Sequence, residues 1–102
     1  MSILLPCTSI ITEIAAERRR QMEVEGWTPQ HDDAHSRGQM AQAAACYADP
    51  QPKMDCSGLP LRWPETWEDY WWKPKDRRRN LVRAAALIVA EIERLDRIGG
   101  GK

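Results

Sequence analysis

Apolar residues recur at helical spacing in three stretches of the chain, and no stretch shows the strict alternation of a half-buried strand. In the first, Ile10, Ile11, Ile14, Ala15, Arg18 and Met22 follow that spacing; Thr8 or Ser9 can cap its start and Gly26 its end, which predicts a helix over about residues 9–25. The second is capped by Ser36 and runs through Tyr47, with Met40, Ala43, Ala44 and Tyr47 on one face and Pro50 and Pro52 beyond its end. Its Ala43–Ala45 run lets another backbone come close. The third starts near Asp76, after Pro74, and carries Leu81, Ala84, Ala85, Ile88, Ile92 and Leu95 at spacings of three and four before Gly99–Gly101. This is the clearest periodicity in the chain. It predicts a helix of roughly 33 Å that packs the other two through Leu81, Ala85, Ile88, Ile92 and Leu95, so that Ile88→Asp is expected to unfold the protein.

Residues 48–75 hold five of the prolines and four of the five tryptophans, a composition that predicts an ordered connection with one short helix from Pro64 to Trp72. The expected fold class is therefore all-α: one small helical domain over residues 1–102, with three main helices, an ordered Pro/Trp-rich connection, a core over about 9–98 and a flexible glycine-rich tail. At 102 residues there is room for one core, and 42% apolar with 29% charged residues is ordinary globular usage.

Charge removes one class of partner. Fifteen basic residues balance fifteen acidic ones, so there is no global positive field to draw the chain onto DNA or an anionic membrane. The apolar start Ile3-Leu4-Leu5 is broken by Pro6, far short of the roughly 20 residues of a membrane span. Cys7, Cys46 and Cys56 are odd in number with no secretory leader before them, and are read as reduced thiols of a cytoplasmic protein. With His31 and His35 they match no standard zinc spacing, so neither a metal nor another cofactor is expected.

Three clusters carry candidate chemistry. Between the first two helices, Trp27, His31, Asp32, Asp33 and His35 put a stacking face beside carboxylates suited to ribose hydroxyls, base amino groups or a cation. The plainer alternative is that Asp32 and Asp33 satisfy turn donors while His35 lies outside. On the first helix, Glu17, Arg20 and Gln21 lie three and four apart; Arg20 can fork onto a phosphate, or the three can form an ordinary solvated face. Trp63, Trp67, Trp71 and Trp72 read as packing, with one at a pocket mouth available to stack a base; Lys73, Lys75, Arg77, Arg78 and Arg79 then bring cations to a helix start.

The order Glu17-x-x-Arg20-Gln21, Gly26-Trp27-Thr28-Pro29-x-His31-Asp32-Asp33, Trp72-Lys73-Pro74 and Ala86-Leu87-Ile88-x-Ala90-Glu91-Ile92-Glu93-Arg94-Leu95-Asp96-Arg97 resembles a family of small uncharacterised phage and prophage proteins over about residues 17–97. The resemblance implies a phage setting, hence the host bacterial cytoplasm. Gly26-Trp27, Asp32-Asp33 and His35 are also similar to part of the ryanodine-receptor repeat, a small helical ligand-binding module, at a spacing about two residues shorter and without its His-Pro.

Together these readings lead to a non-catalytic binder of a small nucleotide-derived host immune signal, of the cyclic-nucleotide or ADP-ribose type. Its expected ligand residues are Glu17, Arg20, Gln21, Trp27, His31, Asp32, Asp33, Trp72, Lys73 and Arg77, with no catalytic residue, no membrane or DNA partner, and a homo-oligomer as a possible assembly. Replacing Arg20 or Trp27 by alanine is expected to weaken binding and leave stability nearly unchanged. Two alternatives stand beside it. One is an enzyme similar to the MazG-type helical nucleotide pyrophosphohydrolases, recruiting Glu13, Glu17, Asp32, Asp33, Glu91 and Glu93 for magnesium without that family's Glu-x-x-Glu spacing. The other is a module that docks a host factor through tryptophan and arginine.

Overall fold

The structure, a computed structural model, describes residues 5–99, with side chains from residue 9 onward. Ile3, Leu4, the Cys7 thiol and the Gly100–Gly101 tail lie outside the described residues. The fold is all-α: α1 (Leu5–Glu23), α2 (Pro29–Asp33), α3 (Gln39–Ala48) and α4 (Arg77–Gly99), with one 3-10 turn at Asp69–Trp71. No helix among the described residues is long and apolar enough to cross a membrane.

Local chemistry sets the boundaries. α1 starts earlier than its expected cap, since Pro6 falls in the first turn, where a missing N–H is no loss. It closes where Gly26 takes φ 79° and the Trp27 N–H returns 2.9 Å to the Gln21 carbonyl. The polar segment that follows contains a helix of its own: Thr28 caps α2 by accepting from the His31 N–H, with Pro29 in the first turn. α3 begins not at Ser36 but after Gly38, whose φ of 81° a side chain would resist. The expected helix over Pro64–Trp72 does not form. In its place, four-residue turns close Trp63 onto Pro60, Trp67 onto Pro64 and Trp71 onto Glu68, and deliver Trp63 and Trp67 into the core.

That core joins Trp27 and the α3 face Met40, Ala43, Ala44, Cys46 and Tyr47 to Trp63, Trp67 and the α4 residues Ala84, Leu87 and Ala90. Small residues where α3 meets α4 bring the two helices together, and α4 is the element on which α1, α2 and α3 all pack. Its register, however, is rotated from the expected one. Val82, Arg83, Ala84, Ala86, Leu87, Ala90 and Arg94 are buried, whereas Leu81, Ile88, Ile92 and Leu95 are 42–53% exposed. α1 shows the same inversion: Ile10 and Ile11 are exposed and, among its described side chains, the buried ones are Glu17, Arg18 and Gln21. The reason is the composition of the neighbours. The surface offered to α1 is polar, and the inward face of α4 must clear α3 with alanine-sized residues.

Candidate functional site

The C-terminal half of α1 turns its polar face toward α4, and the connection closes over both. Glu17, Arg20, Gln21 and Glu25 line a narrow cleft with Trp27, Tyr47, Trp71 and Arg83, too tight to admit a water-sized molecule. Glu17, almost fully buried, accepts from Arg20 Nε at 2.8 Å and Nη2 at 2.9 Å, from Gln21 Nε2 at 3.2 Å, and from the Arg79 guanidinium. Two guanidiniums thus offset the desolvation of one carboxylate. At the mouth, Lys73 Nζ donates to Glu25 at 2.9 Å and Arg20 Nη1 donates to it at 3.2 Å. Burial pushes the Glu25 carboxyl up, but Lys73 and Arg20 outweigh it and hold the group below its ordinary value.

Behind the carboxylates the cleft is aromatic. Tyr47 donates its hydroxyl proton to the Trp71 carbonyl at 2.9 Å and accepts the Lys73 N–H at 2.9 Å, while burial raises its pKa. Arg83 lies 6.0 Å from the Tyr47 ring centre and donates through Nη1 to the Lys73 carbonyl at 2.8 Å. Three buried polar atoms, all on residues that line this cleft, have no partner among the described residues: Gln21 Oε1, Trp27 Nε1 and Arg83 Nε. Buried donors and acceptors are rarely left so, and each unpaired one costs about 1–3 kcal/mol.

His31 and Asp32 do not line the cleft; they belong to a second network against the far rings. The Trp67 indole N–H donates to His35 Nδ1 at 3.2 Å, so neutral His35 carries its proton on Nε2 and donates it 3.2 Å to His31 Nε2. His31 is left with its proton on Nδ1, 3.3 Å from Asp32 Oδ1, and Asp32 takes Arg18 Nη2 at 2.6 Å through its other oxygen. Burial and then the His31 ring push the His35 imidazole below its ordinary value of 6.5, against a smaller opposing pull from Asp32. Arg18 also donates to the Trp27 carbonyl and to Glu93. Asp32 is therefore neither a turn cap nor an open ligand group.

Of the ten residues singled out from the sequence, Glu17, Arg20, Gln21 and Trp27 meet in the cleft and Lys73 reaches its rim through Glu25. The others are elsewhere. Asp33 pairs with Arg97 on the surface, Arg77 donates to the Ala48 carbonyl, and Trp72 packs 4.7 Å from Tyr47. Trp27 lines the cleft but is buried against Trp67 and Trp71, with ring centres at 5.4 and 5.6 Å, so its ring is a packing element rather than an open stacking face. Sequence reasoning missed Glu25, Tyr47, Trp71 and Arg83 as lining residues. Arg83 was hidden because the apparent apolar stripe of the last helix placed it on the outside.

Wider hollows flank residues 45–66, one lined by Cys46, Asp49, Pro52, Lys53 and Pro60, the next by Arg37, Gln42, Trp63, Pro64 and Glu65. They share no lining residue with the cleft, and no buried atom without a partner belongs to their walls. Among the described residues no three His, Cys, Asp or Glu side chains group as a metal-ligand set. No family model, curated protein or solved structure matches the chain.

Proposed function

We propose that this chain is a non-catalytic binding protein that takes one polar edge of a small nucleotide-derived ligand, of the cyclic-nucleotide or ADP-ribose type, into the cleft between α1, α4 and the tryptophan-rich connection. The observation that carries the reading is the set of three unpartnered atoms on the cleft walls: one acceptor, Gln21 Oε1, and two donors, Trp27 Nε1 and Arg83 Nε. Their complement is an edge with one donor and two acceptors, a pattern nucleobases present. The cleft as it stands admits no water-sized molecule, so a base edge enters only as the lining side chains part, and the sugar and phosphate then lie over the mouth, beside Arg20 and Lys73. The resemblance to small phage proteins supplies the setting, sequestration of a host immune signal in the bacterial cytoplasm.

Arginine pairing weighs against the pyrophosphohydrolase alternative. Glu13 is bound by Arg78, Glu17 by Arg20 and Arg79, Asp32 and Glu93 by Arg18, Asp33 by Arg97 and Glu91 by Arg94. A magnesium site would have to displace those guanidiniums. Docking through tryptophan is disfavoured too, because Trp27, Trp63 and Trp67 are core.

The test is to incubate the purified chain with a mixture of cyclic nucleotides and ADP-ribose derivatives, remove unbound compounds, release by heat and identify what returns by mass spectrometry. Intact ligand in about equimolar yield is the expected result. A chemically altered ligand would mean turnover, and no retained nucleotide would remove the reading altogether.

A further inference from the structure

The outer face of α4 carries larger aliphatic side chains than the face the helix buries. The inward apolar residues are Val82, Ala84, Ala86, Leu87 and Ala90; outward lie Leu81, Ala85, Ile88, Ile92 and Leu95, the four large ones between 42 and 53% exposed. The outward set repeats at intervals of four, three, four and three, the 3.5-residue period of a coiled-coil seam rather than the 3.6 of a straight surface helix. In a lone domain such a stripe only loses free energy to water.

We infer that this seam is a self-association surface on which α4 pairs antiparallel with α4 of a second copy of the chain. Charge decides the orientation and the occupant. Arg78 and Arg79 are paired with Glu13 and Glu17, Glu91 and Glu93 with Arg94 and Arg18, and Arg97 with Asp33, which leaves, among the described residues, Lys75 and Arg77 as the cations without an acid partner near the start of the helix and Asp96 as the acid without a cation near its end. An antiparallel pair sets the basic end of each helix beside the acidic end of the other and opposes their dipoles favourably; a parallel pair would put basic end on basic end. Lys75 and Asp96, one at each end, are exposed and form no salt bridge among the described residues, so both are available to a partner. The surface is thus its own complement under a two-fold rotation, as an isologous interface requires.

The aliphatic seam spans 14 residue steps, about 21 Å, or two heptads, which is short for a coiled coil and makes the dimer concentration-dependent. This association is independent of the cleft, because none of the seam residues lines it.

Sedimentation of the intact chain from about 5 to about 300 µM tests it, a range chosen to bracket micromolar association. The expected species at the top of the range is a dimer of the 11.7 kDa chain. Ile88→Glu and Ile92→Glu should each be monomeric throughout with the helicity of the parent, and Asp96→Lys should weaken the dimer several-fold, with Lys75→Glu in the same chain restoring part of the loss. A parent that stays monomeric at the highest concentration, or an Ile88→Glu variant that dimerises as the parent does, would overturn the inference. Should either glutamate variant fail to fold, the Asp96→Lys and Lys75→Glu pair decides the matter, since unchanged dimerisation in both single variants would also overturn it.

Discussion

Arg18 is the residue on which the two polar networks turn. Its guanidinium holds the buried Asp32 carboxylate, the Trp27 carbonyl and Glu93 at once. Arg18→Met would strand a carboxylate that is 1% exposed, and the stability lost, read from urea denaturation, is expected at about 3–5 kcal/mol. Trp27→Ala should likewise cost about 3–5 kcal/mol, because the ring is core, and Arg20→Ala should also destabilise, because it takes one of two guanidiniums from the buried Glu17 carboxylate, so nearly unchanged stability is expected for neither. His35 gives the molecule a pH dependence of definite sign. Its folded pKa lies below 6.5, so the unfolded chain takes up the proton first as pH falls. This contribution to stability is complete above about pH 6.5 and is lost as the pH drops from there through the folded pKa, because a proton on Nδ1 would face the Trp67 indole N–H. Melting temperatures between pH 7.5 and 5 should fall for the parent, and the fall should be shallower for His35→Gln.

Among elements, α4 separates what was legible in the sequence from what was not. Its existence, its start just after Pro74 and the buried face of α3 follow from capping, proline and periodicity, and these the structure bears out. Its register does not follow. Periodicity identifies an apolar stripe without saying what lies on the other side of it, and here the outward stripe is the more aliphatic. Two substitutions one residue apart distinguish the registers. At low micromolar concentration Ile88→Asp should melt within about 1 kcal/mol of the parent, as surface changes do, whereas Leu87→Ala should lose about 2–5 kcal/mol. The tryptophan segment was misread for a related reason: spacing by four is shared by a helix and by a series of four-residue turns, and only the prolines at 60 and 64 hint at the second. In the candidate site, the charged members of α1 were visible as a cluster, while Tyr47, Trp71 and Arg83 converge on it from distant parts of the chain that no local pattern connects.

At the scale of the whole molecule the two halves of the fold are held by different forces. α3 and α4 share an apolar interface, whereas α1 meets α4 through Glu13–Arg78, Glu17–Arg79, Arg18–Glu93 and the Gln21 amide. Polar docking with little apolar burial makes α1 the element most easily released, so its amides should exchange with deuterium faster than those of α3 and the middle of α4. The aromatic rings, by contrast, form one continuous body: Trp27, Trp67 and Trp71 are mutually within 5.2–5.6 Å, Trp67 touches Trp63 at 5.6 Å, and Trp63 touches Trp72 at 5.5 Å. At such separations the indoles do not absorb and emit as independent chromophores. Excitation delivered to any one of them migrates through the others, so the chain's near-ultraviolet circular dichroism should show coupled bands that vanish on unfolding, and light emitted by all five tryptophans should report on whatever touches the edge of one.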